Sequence, residues 1–125
     1  MLLVDDSPDD RRQIQTVMGD VPFAIQLAVL DNASETLDCL RAEGRFSDVQ
    51  PPDVVLLDLD LAEGDGRGLL AELKEDERTA GIPIVALSEN EGDAARATEL
   101  GVHAFALKPL SADEFLRVVS FTQDV

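Results

Sequence analysis

Five side chains in this sequence belong to types that bind metal and handle phosphate: Asp5, Asp6, Asp58, Ser88 and Lys108. Each follows a short apolar run, Met1–Val4, Val54–Leu57, Ile84–Leu87 and Ala104–Leu107 respectively, with Asp5 and Asp6 sharing the first. Three carboxylates brought close together repel and raise one another's pKa unless a cation joins them. All-oxygen ligation of that kind suits Mg²⁺, which also neutralises an incoming phosphoryl group. A hydroxyl and an ammonium opposite the metal would hold the remaining phosphoryl oxygens as charge redistributes. A carboxylate can itself be the nucleophile, giving an aspartyl phosphate. Taken singly, each residue has a plainer reading: an acid pair at a helix start, a turn acid, a loop hydroxyl, a solvated lysine. The case for chemistry rests on their convergence, and so on the elements that carry them.

Those elements alternate regularly, an apolar run followed by a helical pattern, five times. Val54 to Asp58 is apolar on both faces up to its terminal acid, the pattern of a strand buried on both sides in a parallel sheet. Ser7 and Pro8 open the first helix as cap and first residue, with Asp9 and Asp10 as early acids and Ile14, Val17, Met18 and Val21 as the inward stripe. Phe23 to Leu30 reads as the second strand, alternating in bulk. Asn32 and Glu35 have capping-box spacing for a helix with Leu37 and Leu40 inward. Gly64, Gly66 and Gly68 loosen the loop before a helix with Leu69, Leu70 and Leu73. Pro83 is tolerated at the start of the fourth strand. A helix over 93–100 ends before Gly101, a C-terminal cap. Ser111 and Glu114 start the last helix, whose core face is Phe115, Val118 and Val119.

A (βα)5 order predicts an α/β, flavodoxin-like, doubly wound parallel sheet with right-handed crossovers. Strands one, three and four are continuously apolar, whereas strand two alternates and strand five is short and Ala-rich. Edges at two and five give strand order 2-1-3-4-5, with a switch point between strands one and three where ligands bind outside the strand carboxyl ends. Asp5, Asp6, Asp58, Ser88 and Lys108 all fall on that edge.

The chain of 125 residues is long enough for one domain with a real core. A net charge of −16 argues against direct nucleic-acid binding, which needs clustered Lys and Arg. Its acid excess is spread along the chain, and Lys74 and Lys108 are the two lysines against eight arginines. Two explanations stand: adaptation to high salt, where screening removes self-repulsion, or an arginine-biased genome with an ordinary acidic protein. Stability measured against molar KCl separates them. No apolar run approaches a membrane span and no signal-peptide pattern opens the chain. The single Cys39 allows no internal disulfide, and together these point to the cytoplasm. Cys39 and His103 read as ordinary helix and loop residues.

Over essentially its whole length, 1–125, the chain resembles the receiver domain of two-component response regulators. The segments Leu-Leu-Val-Asp-Asp-Ser-Pro, Pro-Asp-Val-Val-Leu-Leu-Asp-Leu, Pro-Ile-Val-Ala-Leu-Ser and Ala-Phe-Ala-Leu-Lys-Pro carry the match. The stretch from Leu40 to Pro52 is similar to stand-alone receivers that partner phytochrome-like kinases. The resemblance implies that Asp58 accepts a phosphoryl group from a histidine kinase or histidine phosphotransfer protein. It implies that Asp6 and Asp58 bind Mg²⁺ directly, Asp5 through water, and Asp60 through its backbone carbonyl. Ser88 and Lys108 would contact the phosphoryl group, Ser88 and Phe105 would be the switch pair, and the Lys108–Pro109 bond would be cis. Phe105 reads equally as a plain core aromatic. Output would pass through the face of the fourth helix, fifth strand and fifth helix to a partner that the sequence does not name, with homodimerisation through that face left open.

Three positions depart from the family pattern. Asp60 adds an acid two residues past the nucleophile, Glu89 replaces a small residue after Ser88, and Ala62 stands where proline is common. Asp60 and Glu89 are expected to change how fast phosphate arrives or leaves. Two other functions stay open. Asp58-Leu59-Asp60 also fits the signature of haloacid-dehalogenase-type phosphatases, with Asp60 as acid/base, although those enzymes place the signature before their metal acids and this chain places it after. The other is a binding-only receiver that is never phosphorylated. On the main reading the protein is not a turnover enzyme.

Overall fold

A computed structural model describes residues 1–22, 25–48, 50–61 and 66–123. The strands are β1 (Leu2–Val4), β2 (Ala28–Leu30), β3 (Val55–Asp58), β4 (Ile84–Ser88) and β5 (Ala104–Leu107). The helices are α1 (Pro8–Gly19), α2 (Ala33–Leu40), α3 (Gly66–Glu75), α4 (Asp93–Glu99) and α5 (Ala112–Gln123). All the strand pairs are parallel and the sheet order is β2-β1-β3-β4-β5, the doubly wound arrangement predicted from strand character.

Helix starts follow their caps. The Ser7 side chain accepts from the Asp10 N–H, Asn32 Oδ1 from the Glu35 N–H, and Ser111 Oγ from the Glu114 N–H, each satisfying an otherwise orphaned donor. The Asn32 side-chain amide also donates to the Glu35 carboxylate at 3.2 Å, a side-chain contact in place of the backbone N–H bond of a full capping box. Gly101 has φ +87°, the left-handed conformation in which glycine escapes the Cβ clash, and it ends α4.

Two apolar layers cover the sheet. On one face Leu2, Val4, Val55, Leu57 and Ile84 pack with Leu40 of α2, Leu70 and Leu73 of α3 and Ala97 of α4. On the other, Leu3, Leu56, Val85 and Leu87 pack with Ile14 and Val17 of α1 and with Phe115, Val118 and Val119 of α5. Successive strand side chains point to opposite faces, so the two sets interleave along each strand. Met18 and Val21 are half-buried at the margin of the second layer, and Leu37 at the margin of the first.

Two elements differ from the sequence reading by more than a single residue at one end. The ladder of β2 covers Ala28–Leu30 only; Phe23 and Ala24 lie outside the described residues, and 25–27 are not strand. Ile25, Leu27 and Val29 still point to one core layer, so the alternation is real while β1, three residues long, offers little to pair with. Helix α3 starts at Gly66, so Gly66 and Gly68 belong to its first turn rather than to a loop; Ala62 and Gly64 lie outside the described residues. Among the described residues no helix is long and apolar enough to cross a membrane.

Candidate functional site

Register brings the chemistry-bearing residues level. Val4 aligns with Leu57, Asp58 with Leu87, and Ser88 with Leu107, so the residues that follow emerge together at the carboxyl edge. Asp5, Asp58 and Ser88 are buried there. Helix α3 closes on the same edge, and its first residue has to be small. A Cβ on Gly66 would lie 2.8 Å from Leu59 Cα and against the Asp58 carbonyl oxygen. Glycine therefore sets how near α3 sits to the chain just after Asp58.

Lys108 forms the centre of the site. Its Nζ lies 2.9 Å from Asp5 Oδ2, 2.8 Å from Asp10 Oδ2 and 3.2 Å from Asp58 Oδ2, with only 6% of the side chain exposed. Burial works against the ammonium, but its hydrogen bonds to Asp10 and Asp5 and the field of Asp58 outweigh it and raise the pKa. The Lys108–Pro109 peptide is cis. Just beyond it the Gln13 side-chain amide donates to the Leu110 carbonyl at 2.6 Å and accepts from the Leu110 N–H at 3.3 Å, which ties this turn to α1. Asp5 Oδ1 accepts from the Ser7 N–H at 2.9 Å.

Asp58 is pushed up from the ordinary 3.8 to about 6, by burial first and by Asp5 as a like charge, against the Asp60 N–H bond and Lys108. Carboxylate oxygens of Asp5, Asp6 and Asp58 all lie within 4.8 Å of one another. Three hard oxygen donors, one of them destabilised as an anion, fit a small divalent cation. Asp60 is placed differently from this triad. Its N–H donates to Asp58 Oδ1 at 2.9 Å, while its half-exposed carboxylate lies 3.5 Å from Ser88 Oγ and 3.8 Å from Arg67.

Ser88 Oγ donates to Asp93 Oδ2 at 2.6 Å and accepts from the Asn90 N–H at 3.0 Å. Asp93 Oδ1 pairs with Arg67 at 2.7 Å, and Arg67 also donates to the Leu59 carbonyl at 3.1 Å. The Ser88 hydroxyl and Arg67 together hold the Asp93 carboxyl below its ordinary pKa. Glu89 is exposed. Phe105 is half-buried against the layer that contains Leu57, Ala86 and Ala97. Cys39 is buried, and His103 Nδ1 accepts from the Ile84 N–H at 3.3 Å, both outside the site.

Sequence reasoning missed three members. Asp10 appeared only as an early helix acid, Asp93 only as a helix start, and Arg67 not at all. Asp10 carried a faint signal, since the first turn of a helix that follows an acid pair necessarily lies at the same sheet edge. Nothing local pointed to Arg67 and Asp93, which meet only because the first turns of α3 and α4 reach the same sheet edge.

Against this geometry, comparison with known proteins is consistent. The response regulator receiver domain family matches residues 1–120. Response regulator Rcp1 of Synechocystis sp. is 32% identical over 121 residues, covering 95% of this chain and 82% of its own. A solved Mn²⁺-bound form of a response regulator Rcp1 has a TM-score of 0.80 at 32% identity, over 98% of this chain and 91% of that one. The bacteriophytochrome response regulator AtBRR reaches a TM-score of 0.87 at 32% identity, over 99% and 91% of the two chains. The phosphorylated cyanobacterial phytochrome response regulator RcpA scores 0.78 at 32% identity, over 98% and 87%.

Proposed function

The chain belongs to the response regulator receiver domain family of two-component signalling, whose members are phosphoacceptors that work with histidine kinases, and from that premise we propose that Asp58 is its phosphoacceptor. Such domains are signalling modules rather than turnover enzymes. In this reading 1–125 is one receiver domain, cytoplasmic, and the donor is the phosphohistidine of a kinase or phosphotransfer protein. An Asp58 carboxylate oxygen attacks phosphorus, the P–N bond breaks, and the electron pair leaves on the imidazole, which then takes up a proton. The product is an aspartyl phosphate.

The observation that carries this reading is the largely buried Lys108 ammonium reaching Asp5, Asp10 and Asp58 together. A cation fixed there offsets charge on the transferring group without having to reorganise. Asp6 and Asp58 would hold Mg²⁺ directly, Asp5 through water and Asp60 through its carbonyl, and the ion would neutralise phosphoryl oxygens. Burial of Asp58 keeps bulk water from the nucleophile. Ser88 supplies a hydroxyl to the phosphoryl group, Phe105 is its switch partner, and Asp60 and Glu89 modulate the lifetime of the phosphate. The change passes to a partner through α4, β5 and α5, a face that can also serve homodimerisation, by biasing a two-state equilibrium.

The test is labelling with a small phosphodonor and Mg²⁺, read by mass. One added phosphoryl group is expected on the native chain and none on Asp58→Asn. Catalytic turnover of a phosphomonoester would favour the phosphatase reading instead, and an unlabelled native chain would favour a binding-only receiver.

A further inference from the structure

The Ser88 hydroxyl has one proton, and in this structure that proton is already committed. It is given to Asp93 Oδ2 at 2.6 Å, in the range of a strong bond to a charged acceptor. The carboxylate that receives it is not free to turn away, because its other oxygen pairs with Arg67 at 2.7 Å. Arg67 is itself tied to the Leu59 carbonyl, one residue past Asp58, and stands 3.8 Å from Asp60. The pair is partly shielded, with 31% of the Arg67 and 15% of the Asp93 side chain exposed. The Asn90 N–H, donating to Ser88 Oγ, leaves the hydroxyl proton as the one group Ser88 can offer.

We propose that Asp93, braced by Arg67, is a positioning residue that holds the Ser88 hydroxyl away from the phosphoryl site and transfers its release to the start of α4. The inference rests on the reading of Asp58 as phosphoacceptor. A phosphoryl group on Asp58 and the Asp93 carboxylate compete for one hydroxyl proton, so binding at Asp58 breaks the bond to Asp93. Asp93 is the first residue of α4, and Gly92 before it provides no side-chain cap. The loss of its serine partner is therefore felt at the helix end that faces the site. Arg67, on α3, extends the same brace to the chain after Asp58. The arrangement gives a physical route from the nucleophile to α4 and holds Ser88 in its present conformation until a phosphoryl group competes for its proton.

Beryllium fluoride with Mg²⁺, a phosphoryl mimic, tests the idea by calorimetric titration of the native chain, Asp93→Ala, Ser88→Ala and the double variant. Removing the competitor frees a bond to a charged acceptor, so Asp93→Ala is expected to bind about tenfold more tightly than the native chain. In the Ser88→Ala background the same change should have no effect, since no proton remains to compete for. Asp93→Asn keeps the size and offers a neutral acceptor, so it should show a smaller gain of the same sign even if the alanine variant folds poorly. As a readout apart from affinity, the amide resonances of Ala94 and Ala95 should move on binding in the native chain and much less in Asp93→Ala. Equal affinity of native and Asp93→Ala, or an equal gain without Ser88, overturns the brace while leaving the phosphoacceptor intact. Absence of binding by the native chain overturns both.

Discussion

Replacing Asp58 by Asn should stabilise the metal-free protein, and by an amount that depends on pH. Asp58 is protonated below its ordinary 3.8 whether the chain is folded or not, but in the folded state it holds its proton up to about 6. Folding thus favours the protonated form, and stability contributed by that preference is present below pH 3.8 and lost as pH rises through 6. The interval corresponds to about 3 kcal/mol at neutral pH, an upper figure because Asp58 titrates together with its neighbours. Asparagine keeps the shape without the charge and leaves Lys108 its contacts to Asp5 and Asp10 at 2.9 and 2.8 Å. Urea unfolding of both proteins in EDTA, from pH 4 to 7.5, measures the difference, and other titrations largely cancel in it. The stability gap should widen by roughly 2–3 kcal/mol over that range, with most of the change between pH 4 and 6. Mg²⁺ at 100 times its dissociation constant should add about 2.7 kcal/mol to the native protein and narrow the gap again. A gap that stays flat with pH, or a variant less stable at pH 7.5 in EDTA, would refute a burial-strained Asp58 carboxylate.

In labelling experiments without kinase, the rate should fall as pH drops through about 6, because attack needs the carboxylate, and saturating Mg²⁺ should move that fall to lower pH. Gly66→Ala should destabilise by about 2 kcal/mol in thermal or urea unfolding despite alanine's better helix propensity, because its Cβ meets the Leu59 backbone. Gly68→Ala, with nothing within 4 Å, should stabilise by up to about 1 kcal/mol in the same measurement. Thr79→Val should cost about 1–2 kcal/mol, since buried Thr79 Oγ1 donates to the Leu73 carbonyl at 2.6 Å near the end of α3 and valine leaves that acceptor unpaired. Asp6→Asn should remove most of the Mg²⁺-induced gain in melting temperature, because it takes one of three clustered carboxylates from the ion.

Sequence alone determined the features that depend on neighbours along the chain or on simple periodicity. Ser7, Asn32 and Ser111 cap their helices because a side-chain oxygen three residues before an N–H reaches it wherever the helix lies. Continuous apolar runs marked β1, β3 and β4 as central because only strands buried on both faces tolerate them, and the 2-1-3-4-5 order followed. That order brings Asp5, Asp6, Asp58 and Lys108 to one edge, so their convergence was legible as well. Only the tertiary structure decided what each group holds. Residues 25–27 alternate like a strand, yet their pairing depended on a partner too short to extend it. Gly66 was legible as a loop glycine until its approach to Leu59 was known. Asp10 meets Lys108 across 98 residues, and Asp93 meets Arg67 where the first turns of two helices reach one sheet edge. Hydrogen bonds and ion pairs are decided at separations of about 3 Å, and sequence spacing sets such separations only within a turn or a cap; across the fold they are set by packing.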